Sequence, residues 1–237
     1  CKYEALLLVS CLMSQAFSIT DMFTIGIGPS SSHTVGPMRA ARDFAERSLI
    51  RPDVGQIVCE LFGSLALTGH GHATDTAILL GLSGYTPEGI APDDIAGIIA
   101  AIRDADRLRL AGKTDIGFVE SQHVLFRKGE FLPGHANAMR FTVTYGDGSE
   151  YSETYFSIGG GAIKRANADV PRLNFTLPHP FGSGAELLAM GDSTGMTFGA
   201  IVEANESAWR SETETRAFIE DVRVAMLDCI KRGIAND

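Results

Sequence analysis

Residues 139–158 read MRFTVTYGDGSEYSETYFSI and decide the fold class of this chain. The first part, 139–145, is rich in β-branched and aromatic residues and predicts a strand. Gly146-Asp147-Gly148 then predicts a turn. A second strand is predicted at 153–158, and the three glycines at 159–161 end it.

Further strands and several helices surround this segment. Additional strands are predicted at 56–62 (QIVCELF) and 118–127 (FVESQHVLFR). Apolar spacing and helix-start signals predict helices at 36–49, 73–82, 92–110, 185–190, 197–210 and 213–233. Because strands and helices do not alternate regularly, the sequence predicts an α+β fold, or a mixed α/β fold with antiparallel strand pairs, in which helices flank a sheet.

The composition is that of a globular protein. The chain has 237 residues, of which 45% are hydrophobic and 21% charged, enough to bury a core without metals or disulfides. The formal net charge of −9 argues against a nucleic-acid binder, because phosphate neutralisation needs a basic face. No apolar run reaches the ~18 residues of a transmembrane helix.

The four cysteines are scattered along the chain. They are Cys1, Cys11, Cys59 and Cys229. None forms a C-x-x-C pair, and their spacing matches neither a disulfide framework nor a zinc site. Such cysteines are typical of a reducing cytosol, and they make this chain a poor holder of an iron–sulfur cluster, which needs several thiolates together.

The first 18 residues differ from the rest. An apolar run at 5–13 (ALLLVSCLM) followed by Ser14-Gln15-Ala16 loosely imitates a signal peptide. Because the chain starts with Cys rather than Met, we interpret residues 1–18 as an upstream extension or the edge of a fragment. We expect residues 19–237 to form the folded domain.

A run of hydroxyl side chains precedes the first long helix. Its members are Ser30, Ser31, Ser32, His33 and Thr34. Hydroxyls and backbone N–H groups at a helix N-terminus favour an anion such as a carboxylate or a phosphate. Capping of the helix is the simpler alternative, but three serines followed by a histidine exceed what capping requires.

Two histidines lie in the segment TGHGHATD at 68–75. Glycines beside a histidine let a substrate approach closely, and an imidazole can take or deliver a proton near neutral pH. His70 and His72 could instead be metal ligands, although H-x-H without a nearby third ligand is a weak signal. Two surface-loop histidines are the remaining alternative.

Two further segments could contact a ligand. Asn137 and Arg140, in a turn leading into a strand, could bind a carboxylate or the polar groups of an amino acid; an ordinary turn Asn and strand Arg are as natural. The segment SIGGG at 157–161 allows either close anion contact or a flexible turn.

Four segments, in this order and spacing, resemble the β domain of the bacterial iron–sulfur-dependent L-serine dehydratases (L-serine deaminases). They are FTIGIGPSSSHTVGPM from residue 23, GSLALTGHGHATD from 63, NAMRF from 137 and YFSIGGG from 155. The resemblance covers about residues 19–235. It implies a fold similar to the allosteric substrate-binding domain of phosphoglycerate dehydrogenases.

The resemblance also implies a second, α domain, either fused or on a separate chain. In the family that domain holds a [4Fe–4S] cluster on three cysteines, with one iron left open as a Lewis acid for L-serine. The cysteines of this chain do not correspond to those ligands. The resemblance therefore implies that the cluster belongs to the α domain and that this chain alone is inactive.

Individual residues take family roles by their position. His72 matches the base that removes the Cα proton of serine, whereas His70 stands where relatives commonly have lysine and receives no role. Asn137 and Arg140 match substrate-orienting positions, and Ala138 replaces a usual glycine. Residues Ser30 to Thr34 would contact substrate at the mouth shared with the α domain.

Two functions remain open at this stage. The first is the β portion of an L-serine ammonia-lyase that forms pyruvate and ammonia. The second is a non-catalytic regulatory module that binds a small anion or an amino acid. A pyridoxal phosphate enzyme is disfavoured because no lysine stands in a Schiff-base context. We also expect a homo-oligomer, with neither nucleic acid nor membrane among its partners.

Overall fold

The computed structural model describes residues 18–168 and 176–235. The described residues fall into two compact units, 24–168 and 18–23 with 176–235. Of the predicted extension at 1–18, only Ser18 lies within the described residues.

Helices occur in both units, whereas all the strands of the described residues lie in the unit 24–168. The helices are α1 (Ile19–Met22), α2 (Val35–Ser48), α3 (Gly63–Thr68), α4 (Thr74–Leu82), α5 (Ile95–Ala105), α6 (Glu120–His123), α7 (Gly184–Thr194), α8 (Phe198–Glu206) and α9 (Glu212–Ala235), with 3₁₀ turns at Gly69–His72 and Pro92–Asp94. The strands are β1 (Val54–Phe62), β2 (Arg107–Leu110), β3 (Thr114–Gly117), β4 (Val124–Phe126), β5 (Asn137–Tyr145), β6 (Glu150–Gly159) and β7 (Ala162–Arg165).

The unit 24–168 is built on one mixed sheet with the strand order β4-β1-β5-β6-β7. Strands β1 and β4 are parallel, and the other neighbours are antiparallel. A separate two-stranded ribbon joins β2 and β3. This arrangement confirms the predicted α+β class.

One face of the sheet carries the core. Along β5, Met139, Phe141 and Val143 alternate toward this face and are fully buried. Helix α2 packs over them, and the ring of its Phe44 stacks on Phe141 with centroids 5.3 Å apart. The core therefore holds the N-terminal end of α2 beside the ends of the central strands, where the predicted site residues lie.

Two predicted elements are partly wrong. The helix predicted at 92–110 ends at Ala105, because Asp106 takes a left-handed conformation (φ 47°) and Arg107–Leu110 pairs with β3. The strand predicted at 118–127 is interrupted by α6, where the side chain of His123 accepts a hydrogen bond from the N–H of Val119 at 2.9 Å. Short-range side-chain contacts of this kind leave no periodic signal.

The unit of residues 18–23 and 176–235 consists of helices. Ser18 caps α1, and the three helices predicted beyond residue 184 are present as α7, α8 and α9. Within the part of the chain that the structure describes, no helix combines the length and apolarity needed to span a bilayer.

Candidate functional site

The serine-rich segment forms a tight turn that leads into α2. The backbone N–H groups of His33 and Thr34 donate to the carbonyl of Ser30, and that of Gly36 donates to the carbonyl of Ser31. The next residue, Pro37, has no N–H. The turn thus uses the N–H groups of His33, Thr34 and Gly36 internally, and binding of an anion by the remaining groups of this segment stays a prediction.

The imidazole of His33 is held from both sides by hydroxyl groups. Its Nδ1 lies 3.0 Å from the Oγ of Ser32 and 3.3 Å from that of Ser30. Its Nε2 lies 3.1 Å from the Oγ of Ser64, at the start of α3. Sequence reasoning missed Ser64, because only the fold brings the end of β1 next to the serine-rich turn.

Thr34 differs from its neighbours. Its side chain is buried, and its hydroxyl donates to the carbonyl of Ser30 at 2.8 Å. The hydroxyl of Thr74 similarly donates to the carbonyl of His33 at 2.7 Å. Both threonines thus hold the turn in place, whereas Ser30 to His33 remain partly exposed.

His72 lies against His33, with ring centroids 4.8 Å apart and planes inclined by 33°. Its Nδ1 is 3.0 Å from the carbonyl oxygen of Thr68. A carbonyl can only accept, so Nδ1 carries the hydrogen and the neutral ring keeps its lone pair on Nε2. The last turn of α3 therefore prepares Nε2 of His72 as a proton acceptor.

The environment of His33 favours its neutral form. Burial lowers the pKa of its imidazole below the ordinary value of 6.5, and the nearby His72 lowers it further. A positive charge on the neighbouring ring thus makes protonation of His33 less favourable.

The side chain of His70 contacts other residues than that of His72 does. Its ring stacks on Phe126 at 3.9 Å, and its Nδ1 lies 3.3 Å from a carboxylate oxygen of Asp75. The side chain of His70 is 64% exposed. Although only one residue separates the two histidines, His70 thus has different contacts from His72.

Asn137 reaches the same region from β5. It forms an isolated antiparallel β-bridge with Gly63, and the next residue, Ser64, contacts His33. The side-chain amide of Asn137 donates to the carbonyl of Ser157 at 3.4 Å. The close approach depends on Gly63, which has φ +56° and on which a Cβ would collide with the carbonyl oxygen of Ala136.

The glycine turn after β6 packs against Thr24 and the beginning of α2, directly after the serine-rich segment. The hydroxyl of Thr24 donates to the carbonyl of Gly160 at 2.5 Å, and Arg39 of α2 donates to the carbonyl of Gly161 at 3.0 Å. Ser157 is buried directly against Gly36. The structure therefore brings the serine-rich turn, His72, Asn137 and the SIGGG segment into one continuous region.

Arg140 is oriented differently from Asn137. Its guanidinium lies over the ring of Phe62 at 5.1 Å, and its Nε is 3.8 Å from a carboxylate oxygen of Glu60. Residues three apart on a strand point to opposite faces, so Arg140 projects from the face opposite the core helices. It makes these contacts rather than any with the histidine pair.

Comparison with known sequences assigns this region to a family. The sequence model of the family described as "Serine dehydratase beta chain" matches residues 18–168, which include all the side chains of the site. The chain belongs to this family.

Full-length curated relatives extend the match beyond the serine dehydratase β-chain region. Over 94% of this chain, the sequence is 39% identical to L-serine dehydratase of Streptomyces coelicolor. Over 92% of this chain, it is 40% identical to L-serine dehydratase 1 of Escherichia coli. An L-serine dehydratase of Mycobacterium bovis is 38% identical over 93% of the chain. The chain spans about half the length of these relatives, 49–50% of each.

The cysteines described in this family member do not fit an iron–sulfur cluster. Cys59 is fully buried in the core, where burial raises the pKa of its thiol well above its ordinary value. Cys229 is exposed on α9. Over residues 18–168 and 176–235, no group of three or more His, Cys, Asp and Glu side chains is placed to hold a metal ion.

Proposed function

We propose that this chain is the β portion of an L-serine ammonia-lyase, in which it supplies the base and the substrate contacts for converting L-serine to pyruvate and ammonia. The [4Fe–4S] cluster belongs, in this proposal, to the α domain. The proposal rests on the family membership together with the geometry of the histidine pair.

The observation that carries the proposal is the orientation of His72. The hydrogen bond from its Nδ1 to the Thr68 carbonyl leaves Nε2 unprotonated in the neutral ring. A positioned imidazole in this state is the usual general base for a weakly acidic C–H bond. Burial lowers the pKa of the neighbouring His33, which favours the uncharged form of that ring beside His72.

The reaction assigned to this site is a β-elimination. His72 takes the proton from Cα of serine, the electrons of the C–H bond form the Cα–Cβ double bond, and the β-hydroxyl leaves as water after gaining a proton. The resulting aminoacrylate rearranges to an imine, and water hydrolyses that imine to pyruvate and ammonia. The acid that protonates the leaving hydroxyl is assigned to the α domain.

The partly exposed hydroxyls beside the pair are the proposed substrate contacts. Ser30, Ser31 and Ser32 with His33 offer hydrogen bonds to the carboxylate or the hydroxyl of serine. Asn137, on β5, is proposed to orient the same molecule. Arg140 projects from the other face of β5, so a contact with it would require a substrate group that extends to that face. Thr34 serves by holding the turn.

Exposed apolar side chains around the histidine pair support the proposal that a partner domain covers this surface in the assembled enzyme. Leu67 lies on α3 between Ser64 and Thr68 and is 56% exposed, and Phe131, which packs against Gly63, is 63% exposed. Ile158, next to Ser157, is 50% exposed. Apolar groups around a polar site are typical of a surface that a partner covers.

Anaerobic assembly tests the proposal. This chain, alone or mixed with a separately expressed cluster-bearing domain, is treated with iron and sulfide and assayed for pyruvate from L-serine. We expect turnover only in the mixture, and its loss when the chain carries His72→Ala. Turnover by this chain alone, or mixture activity that is indifferent to the His72→Ala substitution, would overturn the proposal.

A further inference from the structure

The turn that carries His72 contains a residue in a strained backbone conformation. Ala73, which lies between the 3₁₀ turn Gly69–His72 and α4, has φ 57° and ψ 37°, in the left-handed region. A Cβ atom disfavours this region, so the conformation persists only where the surrounding contacts hold it. The side chains that hold this turn therefore also determine the position of His72.

The carboxylate of Asp75 holds the turn at its end. Its Oδ2 lies 3.3 Å from Nδ1 of His70, and its Oδ1 accepts a hydrogen bond from the N–H of Thr76 at 2.8 Å. Because an ionised carboxylate can only accept, the neutral ring of His70 carries its hydrogen on Nδ1. The contact between residues 70 and 75 thus closes a short loop that contains both His72 and Ala73.

Arg103 of α5 supports this carboxylate. The side chain of Asp75 is only 14% exposed, and an η nitrogen of Arg103 lies 3.9 Å from its Oδ2. Arg103 is itself held by Glu120 of α6, to which it donates from Nε at 2.6 Å and from an η nitrogen at 3.1 Å. A planar guanidinium bound in this bidentate way has a fixed orientation. Helices α5 and α6 thus place a positive charge at a defined position beside Asp75.

Two further contacts anchor the turn to the rest of its unit. The ring of His70 stacks on Phe126 at the end of β4, with the centroids 3.9 Å apart. On the other side, the hydroxyl of Thr74 donates to the carbonyl of His33 at 2.7 Å. The turn is therefore tied both to the sheet and to the segment that carries the second ring of the histidine pair.

We propose that Asp75 is a positioning residue for His72. Its carboxylate, supported by Arg103, fixes the strained turn so that Nδ1 of His72 donates to the carbonyl of Thr68 and Nε2 stays unprotonated. Asp75 acts through the backbone of residues 70–74. The inference rests on the proposed function in treating Nε2 of His72 as the base, but the geometry that it predicts can be measured in this chain without any reaction.

Nitrogen NMR of the histidine rings tests the inference. The chemical shifts of the two ring nitrogens show which of them carries the hydrogen, and the signals of His72 are assigned by their loss in His72→Gln. At a pH where the ring is neutral, we expect its hydrogen on Nδ1. Asp75→Ala should shift the ring toward the other tautomer, because the turn no longer holds it against the Thr68 carbonyl. Arg103→Gln should have the same effect to a smaller extent, since Arg103 supports Asp75 from 3.9 Å.

Asp53→Ala is the matched control. Asp53 also pairs with an arginine, Arg51, at 2.6 Å, but it precedes β1 and thus lies at the end of that strand remote from α3. We expect this variant to leave the tautomer of His72 unchanged. Thermal unfolding followed by circular dichroism checks that each variant is folded at the temperature of the NMR measurement. If Asp75→Ala is not folded there, Arg103→Gln provides the test.

Kinetics distinguish this inference from the proposed function. In the mixture with the cluster-bearing domain, Asp75→Ala should lower kcat by about 10–10²-fold and change KM much less, because a displaced base loses its alignment with the Cα–H bond. A shifted tautomer with an unchanged kcat would support the positioning role of Asp75 and overturn the assignment of His72 as the base.

Three results would overturn the inference itself. The first is a hydrogen on Nε2 of His72 in the unsubstituted chain. The second is a ring that keeps its tautomer in Asp75→Ala and Arg103→Gln. The third is an equal shift of the tautomer in Asp53→Ala, because the effect would then follow from a general loss of stability.

Discussion

The imidazole rings of His33 and His72 lie 4.8 Å apart, although one belongs to the turn before α2 and the other to the turn before α4. Ser64 and Thr68, both on α3, hold one ring each. A helix of six residues thus contacts both rings of the pair.

Replacing His72 tests its role as the base. In the complete enzyme, His72→Ala should lower kcat by ~10²–10⁴-fold, the usual contribution of a general base, and should change KM much less. Exchange of the Cα deuterium of labelled serine into water should also disappear. His70→Ala is the control and should be milder, since His70 contacts Phe126 and Asp75 instead. A His72→Ala variant that loses only affinity would make His72 a binding residue.

The charge coupling of the pair can be measured directly. NMR titration should place the pKa of His33 below 6.5, and His72→Gln should raise it, because the substitution removes a neighbouring positive charge. His70→Gln should leave it unchanged. If His72→Gln does not move the His33 titration, the two rings are not coupled in solution.

The same lowered pKa predicts a pH dependence of stability. As the pH falls below 6.5, the unfolded chain binds a proton at His33 before the folded chain does. The free energy of unfolding should therefore decrease with falling pH in this range, and His33→Gln should reduce that slope. Denaturant titrations between about pH 5 and 7.5 measure it. An equal or steeper slope in the variant would contradict the assignment.

We expect the hydroxyl of Ser64 to position the imidazole of His33 as well as to stabilise the fold. Ser64→Ala removes the partner of Nε2 while keeping the backbone hydrogen bond to Ala136. We expect a loss of about 1 kcal/mol in unfolding free energy and a shift in the titration of His33. Ser83→Ala, which removes a hydroxyl bonded to the Leu79 carbonyl, should cost a similar free energy without moving that titration. Identical titrations in both variants would argue against a positioning role.

The contact between β1 and Asn137 depends on Gly63. Gly63→Ala should destabilise the protein by about 2–4 kcal/mol, because φ is +56° and the new Cβ would collide with the Ala136 carbonyl. Gly129→Ala is the control: its φ is +85°, but nothing lies within 4 Å of a Cβ there, so only about 1–2 kcal/mol of backbone strain is expected. Equal losses in thermal or denaturant unfolding would show that the collision relaxes at little cost.

Much of the fold follows from local patterns. The β-branched and aromatic residues of 139–145 and the Gly-Asp-Gly turn correctly predicted β5 and the start of the hairpin, and apolar spacing with helix-start signals predicted α2. The ribbon of β2 and β3 was not predicted, because each strand has four residues and is stabilised by pairing with the other. Short strands contain too few residues for periodicity to be detected.

The sequence by itself determined the residue types of the candidate site. The SSSHT, GHGH and SIGGG segments, with their order and spacing, indicated the family. What only the tertiary structure decided is which of these groups meet. It placed His72 on His33, added Ser64 and the Thr68 carbonyl as supports, and directed Arg140 to the other face of β5. The reason is physical: hydrogen bonds and ring contacts act over a few ångströms, and the core packing of α2, β1 and β5 determines which distant segments come that close.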